Sequence, residues 1–250
     1  MSEIHEHHTE EIIKLCLLAG RIMMESGAET YRVEDTMSRI AAAYGITETH
    51  SFVTPTGIIV SLKGSNPTQL VRISNRSTDL EKVARVNSIS RQISNGELEI
   101  EAAHHSLEQL QASHLEFPIW IQILAAGIVS GSFLIMFKGI WADFLPAIIV
   151  GGIGYSSLLF IQHYTRVKFF AEFLASLIIG ILSFQLVKVG YGFELDKIII
   201  GSVMPLVPGL LITNAVRDLM VGHFVSGLSK GAEAFLTAFA IGAGVAVVFL

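Results

Sequence analysis

The apolar residues of this chain follow two different patterns, and the change between them falls near residue 116. Before it, they recur at helical spacing or alternate along short runs, as at Ile12, Cys16 and Met23, which is typical of elements with one buried face. After it, they form continuous runs of about 20 residues, the length that crosses a hydrocarbon core. The pattern therefore predicts a globular domain over residues 1–115 and a membrane domain over residues 116–250.

The first part is predicted to be a small α+β domain. Helical periodicity starts at Glu10, after a polar terminus, and Thr30 is a suitable N-cap for a second helix. Runs rich in β-branched residues, separated by Pro and Gly turns, predict three strands between the second and third helices. The expected helices cover residues 10–26, 30–44, 79–94 and 98–115, and the expected strands cover residues 50–54, 57–63 and 70–74.

The second part is predicted to be an α-helical bundle of about five membrane spans. The spans are expected at residues 119–137, 144–163, 169–187, 198–216 and 230–250. Pro205, Pro208 and Gly209 interrupt the fourth span near its middle. A proline inside a helix removes a backbone donor and clashes with the preceding turn, and discontinuous helices hold the binding sites of many secondary transporters. A proline kink without a ligand is the alternative.

Composition and charge agree with this division. The chain is 51% apolar with a mean hydropathy of +0.57, which indicates a membrane protein. The first 116 residues carry 16 of the 22 acidic side chains and 10 of the 17 basic ones, a balance that argues against nucleic-acid binding. Because the polar, acidic start has no signal-peptide pattern, we expect the first domain to be cytoplasmic and the spans to lie in the cell inner (plasma) membrane.

Cys16 is the sole cysteine of the chain. It excludes a disulfide within the chain and a cysteine metal cage, and its place on an apolar helical face predicts a packed core thiol. We expect no cofactor and no metal.

An odd number of spans indicates that a second unit is needed. With the first domain inside, a related five-span unit placed after this one would run inverted, and inverted repeats with a substrate site between them are common in transporters. We therefore expect a partner chain or further copies of this chain.

Two segments carry a distinctive pattern. Residues 18–36 contain Ser26-Gly-Ala-Glu-Thr30 and, shortly after it, Val33-Glu-Asp35, and the second segment is Phe52-Val-Thr-Pro-Thr-Gly-Ile-Ile-Val60. In this pattern the chain resembles the threonine/serine exporter family over nearly its whole length. The resemblance implies a cytoplasmic domain followed by five membrane helices, with a smaller five-helix partner subunit in two-subunit members. It also implies export of threonine and serine or, equally, of succinate-like dicarboxylates.

The interrupted fourth span supplies the candidate substrate site. A helix that restarts after the break offers free N–H groups and a positive dipole end to a carboxylate, with Pro208 as its expected first residue. Arg217 is suited to pairing with a carboxylate, and Asp218 to an ammonium group or a proton. A helix end at the cytoplasmic interface is the alternative for both. The candidate substrate-binding residues are Pro205, Pro208, Gly209, Thr213, Asn214, Arg217 and Asp218.

Two further sets of acids are candidates. Glu172 and Glu233 lie in or near spans, where acids are functional candidates for proton coupling, and the sequence does not choose between them. In the first domain the resembling motif supplies Glu25, Gly27, Glu29, Thr30 and Glu34. Its acids are suited to the start of a helix, where carboxylates favour the helix dipole. A catalytic or regulatory role for them is the alternative.

Two other classes compete with an exporter: a membrane-anchored hydrolase and a metabolite sensor, each with the first domain as the active module. The first domain has no Gly-x-Ser-x-Gly elbow, no His-Glu-x-x-His and no phosphate-binding loop, so known catalytic motifs give no support to an enzyme there. We therefore expect a secondary exporter of small carboxylate-bearing metabolites that is not an enzyme.

Overall fold

The chain folds into two compact units. The computed structural model describes residues 2–62, 68–113, 117–165 and 167–250, with side chains from residue 9 onward. The first unit comprises Met1–Glu116 with Leu210–Gly231, and the second comprises Phe117–Gly209 with Ala232–Leu250. The expected end of the first domain, at residue 115, lies outside the described residues.

The first unit begins with the predicted order of helices and strands. Its elements are α1 (Ser2–Glu25), α2 (Thr30–Ala43), β1 (Thr49–Thr54), β2 (Gly57–Leu62), β3 (Gln69–Arg72), α3 (Leu80–Ser94) and α4 (Ile100–Ala112). Helix α1 starts earlier than the predicted residue 10, and the absence of Gly and Pro between residues 2 and 9 explains why nothing interrupts it there. Lys63, the expected end of the second strand, lies outside the described residues.

The core of the first unit is built around α1. Ile12, Ile13 and Met23 are completely buried, and α1 contacts α2, α3, α4 and the sheet. The sheet is antiparallel in the order β1-β2-β3. The Cys16 thiol is also completely buried and donates to the carbonyl of Met37 at 3.4 Å, and its burial raises its pKa to about 12. The predicted core thiol is thus confirmed.

The remaining elements are almost all helical. They are α5 (Ile119–Met136), α6 (Phe144–Thr165), α7 (Lys168–Val189), α8 (Leu195–Val203), α9 (Gly209–Val221) and α10 (Phe224–Ala246). Among the described residues, four stretches are long and apolar enough to cross a membrane: Ile119–Met136, Trp141–Thr165, Lys168–Val189 and Phe224–Phe249. Leu195–Leu206 and Gly209–Val221 add a fifth if the interrupted pair is one span.

The chain breaks between α8 and α9, close to where the prolines predict it. Pro205 lies in the 3₁₀ turn Met204–Leu206, and Val207 is extended, with φ −65° and ψ 129°. A residue before proline is forced out of the helical region by the proline ring, so Pro208 explains the extended Val207. Helix α9 begins one residue later than expected, at Gly209 rather than at Pro208.

The segment expected to link the last two spans, residues 217–229, is not a loop. Helix α9 continues to Val221 and α10 begins at Phe224. Gly222 adopts a left-handed φ of +98°, and the N–H of His223 donates to the carbonyl of Asp218 at 2.8 Å, which closes the end of α9. The helix that contains the expected last span therefore starts at Phe224, before the expected residue 230.

Helices α5, α6 and α7 pack closely in the second unit through glycines of α6. A Cβ on Gly151 would collide with Ser130 of α5, and a Cβ on Gly154 would collide with Ile179 of α7. These glycines therefore serve close helix approach, as small residues do between membrane helices.

Candidate functional site

Helix α9 presents two adjacent stripes of different character. Asn214 and Asp218, four residues apart, are buried at 9% and 0% exposure. Gly209, Thr213 and Arg217, also at intervals of four, are exposed. Residues four apart lie on one face of a helix, so we call the first pair the anchor stripe and the second set the open stripe.

The anchor stripe holds the start of α2. Asp218 Oδ1 accepts the backbone N–H of Thr30 at 3.1 Å, and Asp218 Oδ2 accepts the Thr30 hydroxyl at 2.8 Å. The N-cap residue of α2 is Glu29, whose own side chain makes no capping bond. The carboxylate of Asp218 therefore caps α2 in place of a local side chain, at the end of the helix that favours an anion. The expectation that Thr30 is the N-cap is wrong, because Thr30 is the first helical residue.

Lys230 completes this cluster from α10. Its side chain is 5% exposed, and Nζ lies 2.7 Å from Asp218 Oδ2. Nζ also donates to the carbonyl of Ala28 and to Thr30 Oγ1, both at 3.3 Å. The three ammonium protons thus have three acceptors. We call Ala28, Thr30, Asp218 and Lys230 the cap cluster.

Asn214 extends the contact to the glycine of the motif. Its carboxamide donates to the carbonyl of Gly27 at 2.9 Å. Gly27 has φ +87°, and a Cβ there would lie 3.3 Å from the carbonyl oxygen of Ser77. The left-handed conformation favours glycine, so the motif glycine shapes the turn that Asn214 holds.

Arg217, at the edge of the open stripe, forms an ion pair with Glu29. The Arg217 side chain remains 50% exposed while that of Glu29 is 12% exposed. Glu29 Oε2 also lies 3.2 Å from Arg32 Nε. The guanidinium is therefore partly open to solvent or ligand, whereas Glu29 is held between two arginines.

Glu34 connects the sheet with the corner between α9 and α10. Its Oε1 accepts the N–H of Val53 at 3.3 Å, and its Oε2 lies 3.7 Å from His223 Nε2. Burial raises the pKa of Glu34, while the nearby His223 and the Val53 N–H act in the opposite direction. The Ser226 hydroxyl donates to the Val53 carbonyl at 3.0 Å, so α10 is bound to the same edge strand.

The predicted site residues thus separate into groups. Pro205 and Pro208 lie in the second unit, and the Thr213 hydroxyl donates locally to the Leu210 carbonyl at 3.0 Å. Glu25 pairs with Arg21 on its own helix at 2.9 Å. The structure brings together three predicted substrate residues and three motif residues, namely Asn214, Arg217 and Asp218 with Gly27, Glu29 and Thr30.

In the second unit, the two candidate acids lie in different surroundings. Glu233 Oε1 accepts Lys168 Nζ at 2.8 Å, with side-chain exposures of 19% and 45%. Glu172 is 4% exposed and Thr237 is 1% exposed. Thr237 lies against Glu172, but Glu172 Oε2 and Thr237 Oγ1 make no regular hydrogen bond within the described residues.

Four polar residues that were not candidates in the sequence are buried or ion-paired in the structure: Lys168, Lys230, Thr237 and Asp143. Asp143 is fully buried and accepts the N–H groups of Phe193 and Glu194, each at 2.8 Å, at the start of α8. For Lys168 and Thr237 a local signal exists, because each is four residues from a candidate acid on the same helix. For Asp143 and Lys230 the partners are distant in sequence, and no local signal exists.

Four helices that are long and apolar enough to cross a membrane, or five if the interrupted pair is one span, are typical of a multi-pass membrane protein. Within that class, the chain belongs to the threonine/serine exporter family: the family model described as "Putative threonine/serine exporter" matches residues 14–250. The family is one of transporters, in agreement with the expectation of a non-enzyme.

Curated relatives carry two kinds of name. The chain is 24% identical over 241 residues to the "Probable threonine/serine exporter" of Mycobacterium tuberculosis, covering 94% of this chain and 45% of the relative. It is 22% identical to the "Threonine/serine exporter" of Corynebacterium glutamicum, covering 94% and 50%. It is 25% identical to the "Probable succinate transporter subunit YjjP" of Escherichia coli K12, covering 94% and 92%. The chain thus spans about half of each exporter and nearly all of the subunit. No solved structure matches.

Proposed function

We propose that this chain is a subunit of a secondary exporter for small carboxylate-bearing metabolites, with threonine and serine or succinate-like dicarboxylates as substrates. The observation that carries the proposal is the open stripe, which starts at the helix break and ends at a half-exposed arginine in a chain of an exporter family. The transport is driven by an ion gradient or by the gradient of the substrate itself.

The open stripe supplies the chemistry that a carboxylate requires. The N–H of Gly209 donates to the Val207 carbonyl at 2.8 Å, the next N–H groups of α9 have no acceptors within their own helix, and the positive end of the helix dipole lies there. Gly209, Thr213 and Arg217 follow one another at one-turn intervals along the same face. In this proposal Pro205 and Pro208 maintain the break, Thr213 offers a hydroxyl, and the Arg217 guanidinium exchanges Glu29 for the carboxylate of the substrate.

The anchor stripe has a different role in this proposal. Both oxygens of Asp218 and the amide nitrogen of Asn214 are occupied by residues 27–30 and Lys230. A substrate ammonium group would have to displace a buried lysine to reach Asp218, at a large cost. We propose that Asn214 and Asp218 act on transport by fixing α9 to the Ser26–Thr30 motif, and that direct contact with the substrate falls to the open stripe.

The assembly that we propose places the chain in the cell inner membrane, with the α+β domain in the cytoplasm and a smaller five-helix subunit as partner. A relative named as a transporter subunit over almost the same length supports a separate partner. Copies of this chain are the alternative assembly.

The test is export of labelled threonine, serine and succinate from proteoliposomes that contain this chain, with and without a candidate five-helix partner. We expect Arg217→Ala to raise the substrate concentration for half-maximal export, because the loss of a charge-assisted hydrogen bond of about 1.5–3 kcal/mol corresponds to roughly tenfold or more in affinity. Arg217→Lys should restore part of the loss, since a point charge cannot replace a bidentate fork. Pro208→Ala should impair export by extending the helix over the N–H groups of the first turn of α9.

Arg85→Ala on α3 is the matched control, because Arg85 is a half-exposed arginine that pairs with Glu81 at 2.9 Å far along the sequence from α9. It should export like the wild type. If Arg217→Ala and Pro208→Ala also export like the wild type across a range of concentrations, the open stripe is not the substrate site.

A further inference from the structure

The contacts between α7 and α10 form a ladder within the second unit. Lys168 and Glu172 are one turn apart on α7, and their partners Glu233 and Thr237 are one turn apart on α10. Further along in the same direction, a Cβ on Gly244 would collide with Ser176, and a Cβ on Gly180 would meet Val248, in the 3₁₀ turn that follows α10. The two helices therefore run side by side in the same direction, with an ion pair on the first rung and an acid facing a hydroxyl on the second.

The second rung is polar, buried and incompletely bonded. Glu172 is 4% exposed and Thr237 is 1% exposed, and Glu172 Oε2 and Thr237 Oγ1 both lack a regular hydrogen bond within the described part of the chain. A buried polar atom without a partner costs free energy, and an ionised carboxylate costs more. Two such atoms on facing helices indicate a site that is completed by something exchangeable.

Building on the proposed export function, we infer that Glu172 and Thr237 form the site at which the transporter takes up and releases its coupling proton. In the loaded state a proton from water forms an O–H bond at Glu172 Oε2, the carboxyl becomes neutral, and its O–H donates to Thr237 Oγ1. In the released state the O–H bond breaks, the proton returns to water, and the Thr237 hydroxyl rotates to donate to the carboxylate. A hydroxyl can serve both states because it donates and accepts.

The first rung connects the site to water and explains why Glu172, rather than Glu233, exchanges the proton. Among the described residues, Lys168 and Glu233 are the charged groups that act on Glu172. Their pair is partly exposed at the start of α7, and in this inference it is the rung at which water reaches the ladder. Glu233 is neutralised by Lys168 at 2.8 Å. It is therefore suited to the entrance of the site, and Glu172 is the group that exchanges the proton.

A proton suits the site better than a metal cation does. Hard cations such as Ca²⁺ take about six to eight oxygen ligands, and within the described residues no three His, Cys, Asp or Glu side chains are placed to hold a metal. One carboxylate oxygen and one hydroxyl are sufficient for a proton.

The direct test is pH-difference infrared spectroscopy of the full chain reconstituted in lipid. The wild type should show the carbonyl band of a protonated carboxylic acid that appears and disappears with pH, and Glu172→Gln should lose that band. Glu81→Gln, at an exposed acid of α3 that pairs with Arg85, is the control and should keep it. Thr237→Val should move the pH midpoint of the band, and Thr237→Ser should restore it, which a purely structural role of the hydroxyl would not produce.

Transport then separates this inference from the proposed function. Glu172→Gln should abolish export driven by a pH gradient while substrate counterflow continues. A titrating Glu172 band in a protein that exports none of the three substrates would overturn the proposed function and leave the proton site standing. A band that survives in Glu172→Gln, or that responds to sodium ions at fixed pH instead of to pH, would overturn the inference.

Discussion

The cap cluster makes Asp218 the residue whose loss should destabilise the protein most directly. In Asp218→Ala, the Lys230 ammonium, 5% exposed, loses its counter-ion at 2.7 Å. Thr30 loses the acceptors of its N–H at 3.1 Å and of its hydroxyl at 2.8 Å. The variant therefore leaves a buried positive charge and two unpaired donors at the start of α2.

The expected magnitude follows from these contacts. Removal of one partner from a buried ion pair costs about 3–5 kcal/mol, because the other charge remains without compensation. A chain of 150–250 residues loses about 2–4 °C in Tm per kcal/mol, so the expected fall is about 6–20 °C. A double variant, Asp218→Leu with Lys230→Met, removes both charges and should recover most of the loss, since apolar residues often replace buried ion pairs at little cost.

The assay is thermal unfolding of the purified full chain in detergent, followed by intrinsic fluorescence at constant protein and detergent concentration. Arg217→Ala is the matched control, because it breaks an ion pair on the same helix that is half exposed on the arginine side. Exposed pairs contribute about 0–1 kcal/mol, so the control should melt close to the wild type.

Two results would refute this reasoning. Asp218→Ala melting within about 2 °C of the Arg217→Ala control would show that the cluster is not a stabilising contact. A double variant as unstable as the sum of its two single variants would show that Asp218 and Lys230 are not coupled, since coupled neighbours deviate from additivity by about 0.5–3 kcal/mol.

Three further predictions concern the first unit. Cys16, with a pKa of about 12, should resist maleimide at pH 8 in the native protein and react on unfolding; Cys16→Ala should transport normally, and fast native labelling would contradict the burial. Gly27→Ala should lower the free energy of unfolding by about 1–2 kcal/mol because of the left-handed backbone. The loss should exceed that in Gly96→Ala, because a Cβ at Gly27 presses on Ser77 whereas one at Gly96 meets no described atom within 4 Å. Equal shifts in Tm for the two variants would disprove the contact with Ser77. Burial raises the pKa of Glu34, so the folded state holds a proton that the unfolded state releases, and stability should fall as pH rises from the ordinary pKa through the raised one. A plot of Tm against pH should be flatter for Glu34→Gln than for the wild type over that range, and an unchanged slope of this plot would rule the effect out.

Local patterns were sufficient to predict most of the elements of this chain. Helical periodicity predicted α1 from Ile12 to Met23, and β-branched runs between Pro and Gly turns predicted the three strands. Continuous apolar runs predicted the long helices, since length and hydropathy decide whether a segment can cross a membrane. Pro205 and Pro208 predicted the break because a proline acts on its own turn of the helix.

The sequence was misleading where the partner of a residue lies far along the chain. Arg217, Asp218 and Lys230 are polar residues beside apolar runs, which is the usual signature of a loop at a membrane boundary. Asp218 and Lys230 are instead helical and buried, because each bonds to Thr30, 188 and 200 residues away in sequence. The bonds from Thr30 to Asp218 also explain why α2 can begin after Glu29, whose own side chain makes no capping bond. No local pattern contains this information.

The choice between Glu172 and Glu233 depended on the pairing of two helices. Both acids stand near the start of an apolar run, so the sequence treats them alike. The pairing of α7 with α10 places Lys168 against one acid and Thr237 against the other. Neutralisation of Glu233 and burial of Glu172 are therefore consequences of packing rather than of sequence position.

The cap that Asp218 provides for α2 also sets an order of events during synthesis. Thr30 leaves the ribosome 188 residues ahead of Asp218, which is an interval of roughly 10–40 s at about 5–20 residues per second. For that time the first helices and strands exist without the carboxylate that completes the start of α2. We therefore expect the nascent N-terminal segment to remain unfinished until α9 and α10 have been made, which ties maturation of the α+β domain to synthesis of the last helices.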